Sequence, residues 1–160
     1  TFALVPQMVD AVRVPVIAAG GIADGRGIAA AFALGAAGVQ IGTAFLRTPE
    51  SKVSAIIRQN LAKGDDGSTA ITNVMTGRAA RGIVNRAMRE IGPVTTEGPG
   101  FPHASAAFGP LKAAAEKTGS SDFTNLWAGQ AVALGTERPA EDLTRALAED
   151  ALRRLRALSA

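Results

Sequence analysis

The sequence predicts an α/β fold built on a parallel βαβ unit, and three observations predict it. Over the first 63 residues, segments with helical spacing alternate with short apolar, β-branched runs, joined by connections of only a few residues. The apolar runs lack polar alternation, as expected of strands covered on both faces of a parallel sheet. Seven of the 18 glycines lie between Pro15 and Leu46, several of them where those runs end.

The elements follow in order. TFALVPQMVDAVRV carries Val5, Met8, Val9 and Val12 at helical spacing, with Pro6 shaping the helix start. VPVIAAG is a strand, closed by Gly20 and Gly21. Asp24 caps the next helix, GRGIAAAFALGA, which presents Ile28, Ala31, Phe32 and Gly35 along one side. GVQIGTAFL reads as a second buried strand. Thr48 and Pro49 then open a third helix, with Val53, Ile56, Ile57 and Leu61 as its apolar face and Gly64 as its end. Such a crossover is nearly always right-handed.

Beyond residue 63 the pattern changes. A polar turn, KGDDGST, precedes ITNVMTGRAARGIVNRAMREIGP, a Pro/Gly loop EGPGFP and an alanine-rich helix ASAAFGPLKAAAEK. After TGSSDFTNLWAGQAVALG comes a terminal helix from about Pro139, with Glu141 and Asp142 in its first turn and Arg153, Arg154 and Arg156 near its end, complementing the helix dipole. No further strand is expected. Residues 1–63 therefore read as the βα part, and residues 64–160 as a helical extension packed on it.

Composition narrows the function classes. A hydrophobic fraction of 47% over 160 residues supports a real core. The net charge of +3, from 17 basic and 14 acidic residues, is scattered outside GRAARGIVNRAMRE and LRRLRA, and aromatics are 4% with no tyrosine. No nucleic-acid partner is expected from so little basic and stacking surface. No apolar run is long enough to span a membrane and no signal peptide opens the chain, which predicts a soluble cytoplasmic protein with no membrane partner. The lack of cysteine excludes disulfides and thiolate ligands within these residues, and one histidine excludes an all-histidine metal site. An opening at Thr1, inside a predicted helix, suggests a fragment.

Two strands cannot form a parallel sheet covered on both faces; in a parallel (β/α)8 barrel they would be the last quarter of the strands. Ligand sites in such barrels lie at the carboxyl ends of the strands, and the loops after the last two commonly hold phosphate. AAGGIADG and QIGTAF fall at those ends. Glycine lets several amides converge on a phosphate and leaves room for its approach. Gly20, Gly21 and the Gly42 and Thr43 amides, with the Thr43 hydroxyl, thus form a main-chain phosphate cradle. The alternative is that Gly20 and Gly21 only permit a tight turn, as Gly35 and Gly38 serve the helix end. The spacing of Gly20, Gly21, Gly25 and Gly27 is not the dinucleotide fingerprint.

VPVIAAGGIADGRGIAAAFALGAAGVQIGTAFLRTPES closely resembles the nitronate monooxygenase family, formerly 2-nitropropane dioxygenases, which are FMN-dependent TIM-barrel enzymes. TGRAARGIVNRAMREIG and FTNLWAGQ resemble that family's carboxyl-terminal signatures, so the likeness covers nearly the whole chain. It implies the carboxyl-terminal portion of an FMN-binding TIM barrel, about its last two βα units, with a helical extension. It also implies FMN as cofactor, its phosphate held by Gly21, Gln40, Ile41, Gly42 and Thr43, with Gly20 as neighbour. The implied reaction is oxidation of an alkyl nitronate, or of a nitroalkane after deprotonation, with O2 to a carbonyl compound and nitrite. The family's histidine base belongs to a Gly-Gly-His-type loop that is not among these residues. No catalytic residue is therefore assigned here; the base, the flavin-ring contacts and the amino-terminal part of the barrel would lie upstream of Thr1. The isolated chain is expected to bind FMN poorly, since open sheet edges leave nothing to hold the ring.

The remaining polar residues read structurally. His103 leads into a helix outside the catalytic motif. Arg78 and Arg81 suit either an anion or structural pairing, and pairing is favoured. Trp127, with Gly129 and Gln130, reads as a core anchor ahead of a pocket edge. Glu50 is a helix-terminus charge, and Asp65 and Asp66 belong to a turn and make no metal site.

Three other readings compete. A flavin-dependent enoyl-acyl-carrier-protein reductase and an inosine monophosphate dehydrogenase share looser forms of the glycine strand ends. LWAGQ argues against the second. A non-catalytic remnant or structural half-barrel is the third.

Overall fold

A computed structural model describes residues 1–159 as two compact units, one formed by residues 1–52 and 134–159 and the other by Val53–Ala133. The terminal helix belongs to the same unit as the βα part.

The first unit begins with helix α1 (Leu4–Ala11), then strand β1 (Ile17–Ala19), helix α2 (Gly25–Ala33) and strand β2 (Gly38–Gln40). β1 and β2 pair in parallel, with Ile17 opposite Gly38, Ala18 opposite Val39 and Ala19 opposite Gln40. This is the predicted βαβ unit. Asp24 caps α2 as expected: its Oδ1 accepts from the Arg26 amide at 3.0 Å and the Gly27 amide at 3.1 Å. Gly35, at φ +90°, ends the α2 segment against Val9.

Helix α6 (Ala140–Leu158) lies along α2, burying Leu143, Leu147 and Ala151. Gly25 makes that approach possible, because a Cβ there would stand 2.7 Å from the Ala151 amide nitrogen and 2.7 Å from Asp150 Cβ. Glu50 is a helix-terminus charge, but of α6: its carboxylate accepts from the Ala140 amide at 3.0 Å. Its own amide and that of Ala140 hold this carboxyl below the usual carboxylate range.

Several expectations need correction. β1 is covered on one face only, with Ala18 buried and Ile17 55% exposed. The strand expected over GVQIGTAFL stops at Gln40. Gly42 turns the chain, and a 3-10 helix runs from Thr43 to Arg47, with the Phe45 amide donating to the Gly42 carbonyl at 3.0 Å. Apolarity alone does not separate a short buried helix from a strand. Thr48 closes that turn, its hydroxyl donating to the Phe45 carbonyl at 2.9 Å, and so it does not open the third helix. α3 instead spans Ala55–Lys63, capped by Ser54, and ends at Gly64 as predicted.

In the second unit, α3 precedes an unexpected antiparallel hairpin of β3 (Thr69–Thr72) and β4 (Ala80–Ile83). Four-residue strands rich in Thr, Arg and Gly carry no alternation that would announce them. Helices α4 (Arg86–Ile91) and α5 (His103–Lys117) follow. Val74, Met75, Ala87 and Met88 form a buried cluster, with Trp127, Phe108 and Phe123 packed against it.

Gly25→Ala is expected to destabilise the protein by about 1–3 kcal/mol in urea unfolding, since the Ala151 backbone cannot move aside without parting α2 from α6. Burial opposes the charge of Asp24, but its hydrogen bonds with the Arg26 guanidinium and the Gly27 and Arg26 amides outweigh this and hold the carboxyl below its ordinary value. A depressed carboxyl stabilises the fold above the unfolded-state pKa and loses that contribution as pH falls through the folded value. Asp24→Ala should therefore cost about 1 kcal/mol near neutral pH, a difference that closes in acid melts below about pH 4.

Candidate functional site

The register of β1 against β2 determines the geometry. With Ala19 opposite Gln40, the next residues of both strands leave the sheet at the same carboxyl end, which brings Gly20 and Gly21 beside the Ile41–Gly42 turn. Gly20 and Gly21 take φ of +90° and +73°, values that side-chain-bearing residues rarely adopt. Gly42 has an ordinary φ of −103°. At Gly21 and at Gly42 alike, a Cβ would meet nothing within 4 Å, so both backbones face open space.

Gln40 is exposed, and Thr43 is half-buried at the start of the 3-10 helix. The Ile41 side chain turns elsewhere. It lines an apolar groove of about 420 Å3 with Ile28, Phe32, Val39, Phe45 and Leu147, which leaves only its main chain for the strand ends. The open backbone at Gly21 and Gly42 is the kind of surface that a phosphate group can approach closely and meet with amides.

Arg78, Arg81, Trp127, His103, Gln130 and Asp65 belong to the second unit. Arg81 is a pairing residue: its Nη1 donates to the Thr69 carbonyl at 3.1 Å and to the Thr69 hydroxyl at 3.2 Å across the hairpin. The Arg78 guanidinium sits 6.0 Å from the centre of the Phe101 ring. Trp127 extends the hairpin as a bridge to Gly82, and the Ile83 amide donates to the Leu126 carbonyl at 2.8 Å. A Cβ on Gly82 would come within 2.9 Å of that Leu126 oxygen. His103 is the exposed first residue of α5, Gln130 is exposed, and Asp65 caps its own turn through the Gly67 amide at 3.1 Å. Among the described residues, no group of His, Cys, Asp and Glu could hold a metal ion, and no helix is long and apolar enough to cross a membrane.

Asn85 was not singled out from sequence, yet it joins the two carboxyl-terminal motifs. Buried, it caps α4 by accepting from the Met88 amide at 3.2 Å and donates to the carbonyls of Thr124 at 2.9 Å and Ser121 at 3.3 Å. An Asn just before a helical segment was the available signal.

A parallel βαβ unit with glycine-rich strand ends defines an α/β protein, and comparison with known proteins makes the class specific. The family model described as nitronate monooxygenase matches residues 1–150, and the chain belongs to that family. A probable nitronate monooxygenase of Staphylococcus aureus is 41% identical over 143 residues, covering 89% of this chain and 40% of that protein. One from Staphylococcus saprophyticus is 43% identical over 130 residues, covering 81% and 37%. Among solved structures, nitroalkane oxidase from Streptomyces ansochromogenes is similar at a TM-score of 0.88 and 38% identity, covering 98% of this chain and 45% of that one. FabK from Thermotoga maritima is similar at 0.80 and 32% identity, covering 99% and 51%. The chain thus spans about 40% of the length of the curated relatives it matches.

Asn85→Ala removes a buried donor–acceptor pair and the α4 cap together. The expected cost is about 2–3 kcal/mol in thermal or urea unfolding, with no change in whatever the glycine strand ends bind.

Proposed function

We propose that this chain is the phosphate-holding part of an FMN-dependent nitronate monooxygenase, and that its β1–α2–β2 unit supplies about the last two βα units of a TIM barrel. The observation that carries the proposal is the pair of open glycine backbones, Gly21 and Gly42, at adjacent strand ends in a chain of that family. In this reading the main chain of Gly20, Gly21, Ile41, Gly42 and Thr43, with Gln40 beside them, holds the FMN phosphate. Amides suit this task because they carry partial positive charge and need no proton to be in place. When bound, the flavin supplies the electron transfer and O2 chemistry by which an alkyl nitronate becomes a carbonyl compound and nitrite. This chain's residues bind and orient; no catalytic acid or base is assigned among them.

A second reading is favoured by the likeness to FabK: a flavin-dependent enoyl-acyl-carrier-protein reductase, with the same phosphate site and NAD(P)H as reductant. Oxidation of NADH with and without a nitronate separates the two. For either reading, the primary test is the visible spectrum of the chain beside its longest in-frame upstream extension. Flavin bands that bleach anaerobically with a nitronate support the monooxygenase. A colourless extended protein in the presence of FMN overturns the flavin assignment.

Gly42 offers a clean probe of the phosphate contact, because its φ is ordinary and a side chain there meets no protein atom within 4 Å. Gly42→Asp should fold normally and weaken FMN binding by at least about tenfold through like-charge repulsion. Riboflavin, which lacks the phosphate, should bind both proteins equally in fluorescence titrations.

A further inference from the structure

Thr1 touches the proposed phosphate site. The Thr1 hydroxyl donates to the Gly20 carbonyl at 3.0 Å across 19 residues of sequence. Thr1 is itself fixed at the start of α1, where its carbonyl accepts from the Leu4 amide at 3.1 Å and the Val5 amide at 3.0 Å. Together with Gly20, Gly21 and Gly27 it lines a cavity of about 150 Å3 at this end of β1.

The Gly20 carbonyl and the Gly21 amide belong to one planar trans peptide, in which C=O and N–H point in opposite directions. Anchoring the oxygen therefore aims the hydrogen. Between two glycines at positive φ this peptide has the least intrinsic preference in the strand end, and it is the one that rotates most easily without an anchor. We propose that Thr1 is a positioning residue: its hydroxyl holds the Gly20–Gly21 peptide so that the Gly21 amide faces a bound phosphate. This rests on the phosphate-cradle reading and adds to it a side chain from a different element.

The test uses the longest in-frame upstream extension of the chain and two variants of it, Thr1→Val, which keeps the shape and loses the donor, and Thr1→Ser, which keeps the donor. Without ligand, the Gly20 carbonyl carbon and Gly21 amide resonances should shift in Thr1→Val and stay near their wild-type positions in Thr1→Ser, while resonances of α2 and α6 do not move. In NMR titrations with FMN, and riboflavin as the phosphate-free control, Thr1→Val should bind FMN about five- to tenfold more weakly than wild type, and Thr1→Ser within about twofold. Equal FMN binding by Thr1→Val and wild type, with the Gly21 amide responding in both, overturns the role of Thr1 and leaves the cradle standing. A wild-type Gly21 amide that ignores FMN overturns the cradle, and the positioning role with it, whatever the ligand-free spectra show.

Discussion

Two parallel strands of three residues each have few hydrogen bonds to hold them together, and they are kept in register by the helix that joins them. α2 runs from the Asp24 cap to Ala33, with Gly35 turning the chain just beyond it, so its length and seating determine where β2 returns beside β1. Its seating depends in turn on α6, which can approach only because position 25 has no side chain. A contact between two helices thus determines which glycines meet at the strand ends.

The glycines divide by what surrounds them. At Gly25 and Gly82 an added Cβ would run into backbone or packed side chain, and at Gly77 it would meet the carbonyl carbon of Gly100 at 2.5 Å. Those positions are small because protein comes close. At Gly21 and Gly42 nothing of the protein comes close, and the lack of a side chain gives the fold nothing at Gly42, where φ is ordinary.

What the sequence disclosed follows from this division. The β1–α2–β2 order, the Asp24 cap, the Gly64 end of α3 and the terminal helix near Pro139 were legible because each carries a local signal in periodicity, capping or turn chemistry. The β3–β4 hairpin was not, since Thr69–Thr72 and Ala80–Ile83 are defined by pairing with each other and with the Leu126–Trp127 segment, and pairing leaves no period in so short a run. The helix that Glu50 serves is not legible for a related reason: the carboxylate lies five residues before α3 but acts on Ala140, 90 residues away. The role of Asn85 is not legible because its cap accompanies a second role, to carbonyls more than 30 residues distant. Arg81 pairs with Thr69 and Trp127 packs against the buried cluster, as expected of an arginine fork and an indole, which find such partners in most folds.

The strands carry one further mismatch between sequence and surroundings. VPVIAAG is apolar on both of its faces, whereas the protein covers only one of them and leaves Ile17 more than half exposed. The groove beside β2 repeats the pattern, with Val39, Ile41 and Phe45 facing an apolar hollow bounded by α2 and α6. Two-sided apolar strands belong to sheets covered on both sides, and a parallel pair with free edges is the least self-sufficient form of sheet. Relatives of more than twice this length share the same unit at 38–41% identity. The uncovered face of β1 and the open glycines at its end are thus accounted for together if this unit works as one share of a closed barrel, in which neighbouring strands cover the apolar face and the strand ends surround a phosphate.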